Sequence, residues 1–168
     1  MKKCTCAAIA FLFLTVGLTT FAAAQVEAEA VVKVGGVLTG PRSITVADLQ
    51  NLERVQVSRK DKDNKKHQYT GVSLSALLVQ CGATTGKDLR GKNLTKYVIA
   101  EASDGYQVIF SLAELDPEFS DDKIILADTI DNAPLAPADG PFRIIVQKDK
   151  RPARCIKQVR SIRIEFAK

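Results

Sequence analysis

The 168-residue chain contains no Trp, one His and one Met, and aromatic residues make up only 6% of it. So few stacking groups weigh against single-stranded nucleic acid as a ligand. A lone His and a handful of separated Cys leave no ligand set for a structural zinc site. A Ser-His-acid triad would have to use His67, which lies among charged residues in a polar stretch and reads as solvated surface. No Gly-x-Gly-x-x-Gly pattern follows a strand. Gly82 to Asp88 imitates a phosphate-binding loop but is one residue short, with Asp88 where magnesium needs a hydroxyl. Asp116, Glu118 and Asp121-Asp122 lack the spacing of a calcium loop. Charge of one sign is lacking too, with 24 Lys and Arg against 19 Asp and Glu. One soluble globular domain accounts for this composition.

Long apolar runs are absent except at the start. Lys2 and Lys3 precede an uncharged stretch whose apolar centre runs from Ala7 to Val16, and Ala22-Ala23-Ala24 supplies a small-residue cleavage pattern. This predicts a signal peptide over residues 1–24, a mature domain over 25–168 beginning near Gln25, and a periplasmic or secreted protein. The alternative is an uncleaved anchor, since Cys4 to Gln25 is long enough to span a bilayer. Cleavage would remove Cys4 and Cys6 and leave Cys81 and Cys155, which either form one disulfide or remain two buried thiols.

Val31, Val32, Val34 and Val37 form a strand-prone opening interrupted by Gly35-Gly36. Thr45 and Asp48 have capping-box spacing and open a short helix. Arg54 to Arg59 alternates as a strand, whereas Lys60 to Gln68 is wholly polar and reads as a loop. Leu74, Leu77, Leu78 and Cys81 form one apolar helical face after Ser73, and Gly82 ends it. Tyr97–Ala102 and Tyr106–Phe110 read as a hairpin around Ser103-Asp104-Gly105. Ser111 and Glu114 repeat the capping spacing. Lys123–Ala127, Phe142–Val146 and Ser161–Phe166 are further strands. Short helices without βαβ alternation predict an α+β fold with a mixed or antiparallel sheet.

Basic charge gathers late. Lys148 to Lys168 holds eight basic residues against Asp149 and Glu165. Arg163 alternates with Ile162 and Ile164 and should face water. Lys150, Arg151 and Arg154 flank Pro152 in a turn, where they either converge on one phosphate or form a solvated surface.

Several segments resemble the sulfite-oxidase-type molybdopterin-binding domain. They are Tyr69-Thr70-Gly71-Val72-x-Leu74-x-x-Leu77-Leu78-x-x-Cys81-Gly82, Ser103-Asp104-Gly105-Tyr106, and Ser111-Leu112-Ala113-Glu114-Leu115 followed by Ile125-Leu126-Ala127. Asn132-x-Pro134-Leu135 and Gly140-Pro141-Phe142-Arg143-Ile144-Ile145-Val146 follow in the family's order. The resemblance implies the sulfite-oxidase fold from about Val37 to Phe166, and molybdopterin or a related pterin as cofactor. It also implies that Lys150, Arg151 and Arg154 approach the cofactor phosphate, with Arg143 in the preceding strand and Tyr106 as a flat polar edge or a core side chain.

Catalytic relatives hold molybdenum through a Cys between the strand matching Arg54–Arg59 and the following helix. Here Lys60 to Gln68 carries no thiol, and molybdenum is not expected. Three functions follow from the sequence. One is an exported protein binding a pterin-like or other small anionic ligand without redox turnover. The others are a molybdopterin-dependent oxidoreductase with atypical ligation, and a ligand-free module for a membrane or periplasmic protein partner.

Overall fold

The computed structural model describes residues 31–168. The expected leader, its cleavage near Gln25, Cys4 and Cys6 lie outside the described residues. β1 (Val31–Gly36) and β2 (Arg42–Thr45) pair antiparallel and lead into α1 (Val46–Gln50). The Thr45 hydroxyl accepts from the Asp48 amide and the Asp48 carboxylate accepts from the Thr45 amide, so the capping box is complete. β3 (Arg54–Lys60) and β4 (Lys66–Ser73) form a hairpin, and α2 (Leu74–Gln80) follows. The remaining elements are β5 (Lys96–Ala102), β6 (Gln107–Ser111), α3 (Leu112–Leu115), β7 (Ile124–Ile130), β8 (Ala133–Pro134), β9 (Arg143–Val146) and β10 (Val159–Phe166), with 3-10 turns over Gly86–Asp88, Gly91–Thr95 and Pro152–Arg154.

Two five-stranded sheets result. The first has the order β2-β1-β10-β5-β6, in which only β1 and β10 run parallel. The second has the order β3-β4-β7-β8, with β9 also pairing β7, and is wholly antiparallel. This is the expected α+β architecture of mixed sheets with few short helices. No helix among the described residues is long and apolar enough to cross a membrane.

One core joins the sheets. Val32, Val98, Phe110 and Ile162 from the first and Val57, Val72, Ile125 and Ile144 from the second are almost fully buried. Leu74, Leu77 and Leu78 of α2 enter the same cluster. Each such aliphatic side chain contributes about 1.5–3 kcal/mol by leaving water.

Three boundaries differ from the sequence reading. Gly35-Gly36 does not interrupt β1; Gly36, at φ +94, lies so close to the Ile164 backbone that any side chain would collide. The polar stretch Lys60–Gln68 is not all loop, because the ladder continues to the Lys60–Lys66 pair and only Asp61–Lys65 turns. Within it His67, paired with Arg59, is polar like its neighbours, so no apolar alternation marks the strand. β7 runs past Ala127 to Ile130, carrying Asp128 buried against Arg54.

Candidate functional site

A cleft of about 540 Å³ opens where four chain segments meet. The β3–β4 turn contributes Asp61 and Asp63, with His67 just beyond it on β4; the β5–β6 turn contributes Asp104 and Tyr106. Asp139 and Arg143 line it beside the Pro152–Lys157 segment. Four carboxylates face Lys62, Arg143, Lys157 and the imidazole of His67 around this wall.

Arg143 is the deepest charge. It is 5% exposed, and its Nη1 donates to the Tyr69 hydroxyl at 2.8 Å and to Asp139 Oδ2 at 3.0 Å. Asp61 Oδ2 lies 3.4 Å from the same nitrogen, and the guanidinium rests 5.1 Å from the Tyr69 ring centroid. The Tyr69 hydroxyl donates to Asp61. Burial, and then the Asp61 carboxylate, push this phenol well above its usual range, so it remains a donor. Lys157 Nζ sits 2.5 Å from the other Asp139 oxygen. A buried guanidinium is tolerable only with such partners.

His67 lies between two carboxylates. Nδ1 is 2.6 Å from Asp131 Oδ2 and Nε2 is 3.0 Å from Asp63 Oδ2. Hydrogen bonding to Asp131 and then to Asp63 raises its pKa, which favours the doubly protonated ring. Its role is to tie the β3–β4 turn to the turn after β7, so the expected plain solvated surface understates it.

Tyr106 is not a core residue. It is 50% exposed on the cleft wall, and its hydroxyl donates to the Ala153 carbonyl at 3.0 Å. Asp104 Oδ1 accepts the Tyr106 amide at 2.9 Å, which fixes the other end of the residue.

The basic turn does not form the expected cluster. Arg154 Nε and Nη2 donate to the two Asp149 oxygens at 2.8 and 2.7 Å, and Nη1 donates to Glu114 Oε1 at 2.6 Å. Its guanidinium also lies 5.0 Å from the Phe110 ring centroid. These carboxylates already take the donors that a phosphate would use. Glu114 consequently does not close a capping box with Ser111, whose Oγ still accepts the Glu114 amide. Lys150 and Arg151 are exposed and do not line the cleft. Of the five anticipated ligand residues, only Tyr106 and Arg143 meet there.

Cys155 also lines the cleft, 5% exposed, with Sγ accepting the Val146 amide at 3.4 Å. Burial pushes the thiol up, against the pull of the Arg59 and Arg143 charges. Cys81 and Cys155 are both free and buried, so the two-thiol alternative holds and the disulfide does not. Arg59, 5% exposed, donates from Nη1 to the Val146 carbonyl at 2.5 Å and has no partner for Nε. Among the described residues no three His, Cys, Asp or Glu side chains gather as a metal site.

The residues missed in sequence are Asp61, Tyr69 and Asp139. Tyr69 and Asp139 border two of the recognised motifs, and Asp61 opens the polar turn. Their proximity to those motifs was the available signal; their convergence on Arg143 depends on pairing across the sheet.

The model of a family described as the oxidoreductase molybdopterin binding domain matches residues 57–167. No curated protein matches the chain. Among solved structures, the sulfane dehydrogenase SoxCD from Paracoccus pantotrophus is similar in fold, with a TM-score of 0.62 at 18% identity. The match covers 80% of this chain but only 37% of that one.

Proposed function

The chain belongs to the family of oxidoreductase molybdopterin-binding domains, and on that premise we propose that it is a ligand-binding member working without molybdenum redox chemistry. We further place it in the periplasm or outside the cell, on the strength of Lys2, Lys3, the apolar stretch and the triple Ala before Gln25.

The family's cofactor combines a planar pterin, a phosphate and a dithiolene that holds molybdenum, so its three parts test the cleft separately. The planar part suits a wall with a half-exposed Tyr106 and the apolar atoms of Pro152 and Ile156. The phosphate does not fit, because Arg154 is closed by Asp149 and Glu114. The metal does not fit either, since it needs a soft thiolate. The observation carrying this reading is that the Lys60–Gln68 segment offers no thiol, while Cys155, the one cleft-lining cysteine among the described residues, is 5% exposed with its Sγ engaged by the Val146 amide.

Metal analysis of protein purified from cells that make the cofactor tests the reading. We expect molybdenum far below one per chain; a stoichiometric content would overturn it. A second reading, an oxidoreductase with atypical ligation, draws support from Cys155 facing the cleft with Arg59 and Arg143 lowering its pKa against burial. In that case Cys155→Ser should abolish metal retention.

A further inference from the structure

We propose that the cleft selects an uncharged planar ring stacked on Tyr106, and that the Arg154 clamp, which lies outside the cleft lining, holds that platform in place while leaving no free guanidinium for a phosphate. This deepens the binding reading above and rests on it.

An exposed aromatic ring usually rotates freely, and fixing it on binding costs entropy. Tyr106 is already fixed. Its amide is held by Asp104, and its hydroxyl reaches the Ala153 carbonyl, 47 residues away in sequence. Ala153 lies in the Pro152–Arg154 turn, of which Arg154 is the last residue. Through Arg154 that turn is tied to Glu114 in α3 and to Asp149 before it. Three charge-assisted hydrogen bonds thus support a ring that touches none of them. Such a preorganised face suits a flat ligand.

Charge decides the rest. The guanidinium nearest this platform in sequence is matched by two carboxylates, and Arg143 is matched by Asp61 and Asp139. Lys157 is also paired, with Asp139. A phosphate entering the cleft would find its cations already matched, His67 included by Asp63 and Asp131, with Lys62 as the lining cation that has no ion-pair partner among the described residues. An uncharged ring needs no such cation.

Pterin fluorescence provides the assay, using 6-hydroxymethylpterin and its phosphate ester as probes. The uncharged pterin should bind wild type at least tenfold more tightly than the ester. Tyr106→Ala should weaken uncharged binding about tenfold, the scale of losing one aromatic stacking face. Tyr106→Phe keeps the ring and should lose only a fewfold. Glu114→Gln with Asp149→Asn should narrow the preference by strengthening ester binding. Glu114→Gln alone serves if the double variant does not fold. Equal or tighter ester binding by wild type would overturn this inference and leave the non-redox reading standing. Failure of both probes to bind would overturn both.

Discussion

Arg143 and Tyr69 form a buried unit in which one guanidinium nitrogen donates to the phenol oxygen at 2.8 Å while the guanidinium lies over the phenol ring. Hydroxyl and ring serve the same cation, and the hydroxyl proton passes on to Asp61. β9 supplies the Arg and β4 the Tyr, and both strands flank β7, so the contact crosses the middle of the second sheet.

Tyr69→Phe keeps the ring and removes the bridge. Arg143 Nη1 and Asp61 each lose a hydrogen bond in a place where Arg143 Nε and Asp61 Oδ1 already have none. The expected loss is about 1–3 kcal/mol in urea unfolding. A change below the error of the measurement would show that water replaces the hydroxyl.

His67 makes stability depend on pH. Its folded pKa is raised by Asp131 and Asp63, with Lys62 and Lys65 as the nearby cations on the same turn. A raised folded value means that its contribution is fully present below the unfolded pKa of about 6.5 and is lost as pH rises through the folded pKa. Asp63 and Asp131 are lowered by their hydrogen bonds, so their contribution fades only as pH falls through their folded values. The urea midpoint of wild type should therefore decline above about pH 6.5, and His67→Gln should flatten that limb. A wild-type midpoint that rises there would contradict the bridge.

The parts of the fold that sequence made legible were local. Ser73, the apolar positions 74, 77, 78 and 81, and Gly82 define α2 within ten residues, and Gly105 at φ +84 fits the β5–β6 turn. The site was less legible because its partners are distant: Arg154 meets Glu114 across 40 positions, and Arg143 meets Asp61 across 82. A run of basic residues reads as an anion site until the carboxylates opposite are placed. The polar residues Lys66, His67 and Gln68 concealed the start of β4, since no Val or Ile stands among them to mark a strand.

Leu77→Ala tests whether α2 is a core element. Leu77 is 1% exposed and lies within the joined core, so truncation removes apolar contact and leaves a cavity. The expected cost is about 2–5 kcal/mol. A loss under about 1 kcal/mol would mean that the stripe is not core.

Thiol counting tests the proposed export and the state of the cysteines together. If processing occurs near Gln25, Cys4 and Cys6 depart with the leader, and an intact mass on exported material begins at that residue. Cys81 and Cys155 then remain, both free, buried and shifted upwards by burial. Thiolate is the reactive form, so an aromatic disulfide reagent should label neither residue quickly in the native protein. Unfolding without reductant should expose two reactive thiols per chain. Four would retain the leader and contradict processing, while none would place the two cysteines in a bridge. Rapid native labelling of Cys155 would show that the pull of Arg59 and Arg143 outweighs burial, and would favour the metal-ligating reading of that residue.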